Sequence, residues 1–265
     1  MSNNIFIAAH ARSGSTFLCQ LMQQISEIKV YYEIFHFHHS EIMQHLHGDY
    51  PDIARQLRLS DNEAQARRSL IQQNHEYLAA LQKINKNRML AFKVFPRHLP
   101  DESLRQVVSE SRLVVILRRN LLQSYISTVI ARNIQKWGRI DTSEEKALFS
   151  GDDFSNHVQT VTNYYKSVIQ TAENQRIKVV YVDYESVATA HDPAKIIIST
   201  LSNGLGYQLH YSTDAVKITK QDKRCSAVDK VLNATEMMKF LDSHKLTVLN
   251  DGNTNCTDVD YARIS

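Results

Sequence analysis

The chain has 265 residues, of which 43% are apolar and 22% charged, and its net charge is only +3. That balance fits a globular protein, is too weakly basic to point to nucleic acid, and with seven Gly and four Pro excludes long disordered linkers. The three cysteines, Cys19, Cys225 and Cys256, make neither a disulfide framework nor a Cys-x-x-Cys metal pair, so a reducing compartment is expected.

Residues 4–9 (N-I-F-I-A-A) read as a short buried strand closed by a Gly/Ser turn. The run is too short for a signal peptide or a membrane span, and a cytoplasmic protein is expected. From Thr16 the pattern is helical, with Phe17, Leu18, Leu21, Met22 and Ile25 on one face. A second strand is expected over 29–32, which makes a βαβ unit. Segments 39–47 and 60–85 read as helices, the latter opening on a Ser60–Glu63 capping-box spacing. A strand follows over 89–95, a helix over 101–110, and a fully apolar central strand over 113–117 (L-V-V-I-L). Helix 121–135 leads to a polar stretch, 138–153, that is the best candidate for a mobile loop. Then come helix 154–174, strand 178–182 and helix 193–201, with Pro193 in its first turn. Beyond Tyr207 the pattern weakens, and 250–265 reads as a polar tail behind a single domain, 1–249. Strands alternating with helices predict a three-layer α/β fold, a mostly parallel central sheet flanked by helices on both faces.

In such sheets ligands bind at the carboxyl ends of the strands. The turn after the first strand carries Arg12, Ser13, Gly14, Ser15 and Thr16. Backbone N–H groups at a helix start, a glycine for close approach, hydroxyl donors and a guanidinium fork make it a candidate anion site. It is not a nucleoside-triphosphatase P-loop: Ala8 stands where the first Gly belongs, and Ser15 where the Lys belongs. A second element, R-R-N-L-L-Q-S-Y-I-S, follows the central strand. Arg119 and Ser127 are eight residues apart, about two helical turns, and suit a second phosphate. Read alone, each element also suits an ordinary strand–helix turn with a solvated start.

Together the two elements resemble the sulfotransferases that use 3′-phosphoadenosine-5′-phosphosulfate (PAPS). R-S-G-S-T-F-L resembles their 5′-phosphosulfate loop and R-N-x-x-x-x-x-x-S their 3′-phosphate element. Y-Y-E-I-F-H, R-R-N-L-L-Q-S-Y-I-S with Trp137, and V-D-Y-E…D-P…L-G resemble the bacterial carbohydrate branch, which acts on trehalose or Nod-factor sugars. Thr219-Lys220-Gln221 resembles the basic loop over the nucleotide. Departures are Leu121 for the common Pro and Ser186 for the Asp of Y-E-D.

The resemblance implies a P-loop-NTPase-like sulfotransferase fold, PAPS as donor and no metal. Arg12, Ser13, Gly14, Ser15 and Thr16 would hold the phosphosulfate, Arg119 and Ser127 the 3′-phosphate, and Lys220 the closing loop. Glu33, just past the second strand, is the expected general base, with its pKa raised by partial burial. Lys93 reads equally as a contact to the bridging oxygen or as a strand-end lysine. His98 is the second choice of base. His36, His38 and His39 lack a zinc spacing and read as acceptor-pocket lining or as exposed residues. Trp137 is placed to stack on a sugar ring. The expected acceptor is a carbohydrate or glycolipid-like hydroxyl, with no nucleic-acid or membrane partner; the relatives include dimers, which allows a homodimer. Competing readings are a kinase of related architecture and a non-catalytic nucleotide binder, the latter having no use for Glu33.

Overall fold

The computed structural model describes residues 3–137, 141–210 and 226–244. β1 (Asn4–Ala8) is buried along its whole length and has a neighbour on each edge. β3 (Met89–Val94) pairs with one edge and β4 (Leu113–Arg118) with the other. β2 (Ile28–Val30) lies outside β3, and β5 (Lys178–Asp183) outside β4. The order is β2-β3-β1-β4-β5 and every pair is parallel, so all five carboxyl ends share one edge of the sheet.

Period-two alternation divides the core between the two faces. Ile5, Ile7, Leu113, Val115 and Leu117 pack toward α1 (Ser15–Met22) and α10 (Pro193–Leu205). Phe6, Ala8, Phe92, Val114 and Ile116 pack on the other face. That face is covered by α5 (Asn74–Ile84), α6 (Asp101–Ser109), α7 (Leu121–Asn133) and α8 (Gly151–Asn174). Each fully buried large apolar side chain contributes about 1.5–3 kcal/mol, which makes the sheet a rigid base for the loops at its edge. α8 also closes that edge. Tyr164 donates to the Val94 carbonyl at 2.7 Å and Tyr165 to the Leu117 carbonyl at 2.6 Å, so two strand ends are satisfied by side chains. No helix among the described residues is long and apolar enough to cross a membrane.

The chain leaves β1 toward the β2 side and leaves β4 toward the β5 side. The crevice between their carboxyl ends is therefore a topological switch point, the expected place for a ligand.

Several boundaries differ from the sequence expectation. The second strand ends at Val30 because Tyr32 takes a left-handed backbone, φ 52°. The long helix expected over 60–85 is two helices, α4 (Glu63–Gln72) and α5, broken at Gln73. Asn62, not Ser60, caps the first of these, accepting from the Gln65 amide at 3.1 Å. Ahead of them lie α2 (His39–Leu46) and α3 (Tyr50–Leu57); α3, α9 (Tyr184–Thr189) and α11 (Ala234–Ser243) had not been expected. Of the polar stretch 138–153, the described part is pinned rather than free. Ala147 forms a parallel bridge to Val231, Phe149 is buried, and α8 begins at Gly151 behind a Ser150 cap. The expected closing loop around Lys220 and the tail 250–265 lie outside the described residues.

Candidate active site

The turn after β1 is strained and tightly packed. Arg12 has φ 60° and Gly14 φ 84°, both left-handed, a conformation that glycine tolerates and arginine adopts at a cost. A Cβ on Gly14 would lie 2.1 Å from Cδ2 of Tyr184, so the ring seals that side of the turn. Gly14 caps α1 without a side-chain bond, and the first-turn amides of Ser15 and Thr16 face the crevice end of the helix. Ser13 is fully buried, and its hydroxyl has no protein partner.

The second anion element begins where β4 ends. Arg118 is engaged by Asp183 in a two-point ion pair of 2.7 and 2.8 Å, which locks the ends of β4 and β5. Arg119 turns the other way. Its guanidinium lies 4.5 Å from the Tyr184 ring centroid, and one Nη donates to the Arg12 carbonyl. Arg12 in turn donates through Nε to Ser127 Oγ at 2.9 Å and through Nη1 to the Trp137 carbonyl at 3.3 Å. Burial and then the charge of Arg119 lower the pKa of Arg12, opposed by Tyr184. Arg12, Arg119 and Ser127 therefore share one side of the sheet edge. Trp137 meets them through its backbone, with its indole half exposed. Asn120 caps α7, and its own amide donates to Glu185 Oε1 at 3.1 Å. Burial raises the Glu185 pKa despite that bond and the nearby Arg119.

On the β3 side Lys93 joins the anion turn to a carboxylate. Its ammonium is 3.0 Å from Glu33 Oε1, 3.1 Å from Thr16 Oγ1 and 3.3 Å from Ser15 Oγ. Glu33 Oε2 is 3.8 Å from Nε2 of both His36 and His98. Burial pushes the Glu33 pKa upward, but Lys93, through charge and hydrogen bond, outweighs it. The carboxyl thus lies below its ordinary range, opposite to the raised value expected of a base. Burial lowers His98 to about 3, so the ring is neutral.

The neighbours of the two imidazoles define their tautomers. The Phe95 amide donates to His98 Nδ1 at 3.3 Å, and the His38 amide donates to His36 Nδ1 at 3.1 Å. A backbone N–H can only donate, so Nδ1 is the acceptor in each neutral ring and Nε2 carries the proton. Glu33, His36 and His98 bring ligating atoms within 4.8 Å of one another, a spacing a metal could use. In these tautomers, however, both Nε2 atoms lack the lone pair a metal needs. The same proton keeps His98 Nε2 from serving as the base. Of the three histidines in the 36–39 stretch, only His36 reaches this centre: His38 is exposed and His39 bonds Tyr50 at 2.9 Å.

Beside His98 opens a cavity of about 680 Å³, lined in part by Phe37, Phe95, Leu99, Arg67, Asn163 and Tyr164. Arg67 of α4 donates to the His36 carbonyl at 2.8 Å and the His98 carbonyl at 3.4 Å, fixing the two histidine backbones together. Sequence reading missed Arg67, Tyr184 and Glu185 as site residues. It also missed His10, a buried ring at the end of β1 that bonds Tyr165 at 3.0 Å. The V-D-Y-E string carried a signal for Tyr184 and Glu185. His10 and Arg67 had none, because their partners lie 155 and 31 residues away.

A doubly wound parallel sheet with a tight glycine turn at its switch point defines the class of α/β proteins that bind ligands at the carboxyl ends of their strands. Within that class, the sulfotransferase domain family matches residues 2–240, and the chain belongs to that family. Its members move sulfuryl groups. A solved sulfotransferase domain from the curacin biosynthetic pathway has a similar fold, with a TM-score of 0.50 at 14% identity over 100% of this chain and 96% of that one. No curated protein matches.

Proposed function

We propose that the protein transfers a sulfuryl group from PAPS to a hydroxyl of a carbohydrate or glycolipid-like acceptor in the cytoplasm, with Glu33 as general base. The observation that carries this reading is the direct linkage of the two anion elements, Arg119 to the Arg12 carbonyl and Arg12 to Ser127, at the same carboxyl edge of the sheet as the Lys93–Glu33 pair. The donor's fit rests on the buried, unpartnered Ser13 hydroxyl inside the anion turn, a group that costs stability unless an acceptor meets it.

The first-turn amides with Ser13, Ser15 and Thr16 would hold the 5′ phosphosulfate, and Arg119 and Ser127 the 3′-phosphate. Arg12 is oriented toward Ser127, so Lys93 is the cation nearest the Ser15 and Thr16 hydroxyls and takes the bridging-oxygen role. When bound, the donor supplies the sulfuryl group: the acceptor oxygen bonds sulfur, the sulfur–oxygen bond to the phosphate breaks, and the hydroxyl proton passes to Glu33. Catalysis by the chain is then mainly positioning and charge neutralisation, as in phosphoryl transfer. Aromatic residues Phe37 and Phe95 with polar Arg67 and Asn163 suit a sugar ring's mixed faces.

Calorimetric titration with 3′-phosphoadenosine-5′-phosphate, ADP and ATP tests the donor site. A preference for the 3′-phosphorylated ligand that disappears in Arg119→Ala is expected; equal binding of all three would remove the reading. Labelled-sulfate transfer to a panel of sugars, lost in Glu33→Gln while nucleotide binding persists, tests the chemistry.

A further inference from the structure

The centre around Glu33 contains more than a base. Lys93 occupies Oε1, so Oε2 is the oxygen left to face His36 and His98, each 3.8 Å away. Both backbone-held rings place a proton-bearing Nε2 at that same distance from Oε2. At 3.8 Å neither makes a hydrogen bond to the carboxylate. Ligating atoms of the three residues lie within 4.8 Å of one another, and Oε2 and the two Nε2 atoms are the corners of the centre. One oxygen can lie about 2.8 Å from Oε2 and from either Nε2 at once, an ordinary hydrogen-bond length.

The chemistry of the corners defines what that oxygen is. Two corners donate and one accepts. An alcohol has one proton and two lone pairs, so it gives its proton to Oε2, accepts from one imidazole and keeps one lone pair for the attack on sulfur. A neutral amine has one lone pair, which the attack on sulfur requires, and two protons for a single acceptor corner. It leaves one imidazole N–H facing another donor.

We propose that Glu33 as acceptor and an Nε2–H of His36 or His98 as donor form a cradle for one hydroxyl, which makes this site sulfate oxygen and reject nitrogen. The proposal rests on the sulfotransferase reading above and deepens it. As the proton moves to Oε2, the oxygen gains charge while one pair accepts from an imidazole N–H and the other forms the bond to sulfur, so the imidazole stabilises the nucleophile. The imidazoles serve as donors throughout and never as bases.

Ring-nitrogen NMR on the full chain labelled with 15N-histidine tests the tautomers without turnover or substrate, with His36→Gln and His98→Gln used only for assignment. Neutral rings protonated at Nε2 are expected for both residues at pH 7; a proton on Nδ1 of either overturns the cradle. Zinc chloride titrated into the same sample should leave both rings unchanged. Zinc capture that Glu33→Gln abolishes would show a metal site instead. Octyl β-glucosaminide with labelled donor offers hydroxyls and an amine in one molecule. Products should be O-sulfates by about 100-fold or more over the N-sulfate, in keeping with how a polar pocket discriminates; predominant N-sulfation overturns the proposal. Loss of 3′-phosphorylated nucleotide binding would count against the sulfotransferase reading alone, because the NMR result decides the cradle independently.

Discussion

On the two sides of β1 the sheet edge handles charge in opposite ways. On the β3 side, Lys93 and Glu33 meet at 3.0 Å with side chains only 3% and 15% exposed, so charge is matched within the fold. On the β4 side, Arg119 rests on the Tyr184 ring and a backbone carbonyl, and Arg12 reaches a hydroxyl and another carbonyl. Those contacts orient the guanidinium groups through a ring face, a hydroxyl and backbone carbonyls. The first arrangement keeps a carboxylate ionised in a dry place. The second fixes two guanidinium groups at the switch point. The left-handed Arg12–Gly14 turn lies between the two arrangements.

Removing one member of the matched pair should break the comparison most. Glu33→Gln is expected to reduce sulfate transfer by about 100- to 10,000-fold, the usual contribution of a general base. It also strands the Lys93 ammonium in a buried site, which costs about 3 kcal/mol in thermal or urea unfolding. Lys93→Met should destabilise by a similar amount, and the double variant by less than the sum, since no uncompensated charge remains. An additive double variant would mean that the pair is not coupled.

The donor side depends on sterics, and Gly14→Ala tests that. A Cβ meets Tyr184 at 2.1 Å on a left-handed backbone, so a loss of about 2–4 kcal/mol is expected, together with weakened nucleotide binding. Unchanged stability would show that the turn relaxes freely.

The pH dependence sharpens the contrast. Glu33 has its folded pKa depressed, with Lys93 outweighing the upward effect of burial. Its contribution to stability is therefore present above the unfolded carboxylate range and lost as pH falls through the lower folded value. The acid limb of activity should lie below the pH at which an ordinary glutamate titrates, and Lys93→Met should move it upward. A limb unmoved by that substitution would assign it to another group.

Glu185 gives the smallest effect and the opposite sign. Burial raises its folded pKa, so the fold favours the neutral form, and stability contributed by protonation is lost as pH rises through that value. Glu185→Gln keeps an acceptor for the Asn120 amide and should slightly raise the melting temperature at neutral pH. A lowered melting temperature would mean that its attraction to Arg119 prevails.

Much of this was legible in the chain. The strands over 4–8, 89–94 and 113–118 were readable because buried parallel strands are continuous apolar runs. The left-handed glycine turn after β1 was readable because its residues are contiguous, and the start of α7 because Asn120 is a cap residue ahead of an apolar run. Other features had no local signature. Helix α3 is short and carries a single buried residue, Ile53, so its period is hard to see. The role of Arg12 was read as a 5′ contact, whereas its fork is drawn to Ser127, 115 residues away.

By itself the sequence determined the order of strands and helices and placed two cationic turns after two of the strands, since hydrophobic period and turn chemistry are local properties. Only the tertiary structure decided that Lys93 would hold Glu33 below its ordinary pKa and that two backbone amides would set the protons of His36 and His98. Charge coupling and tautomer choice depend on distances of 3 to 4 Å between residues far apart in the chain, and those distances exist only once the sheet has brought the strand ends together.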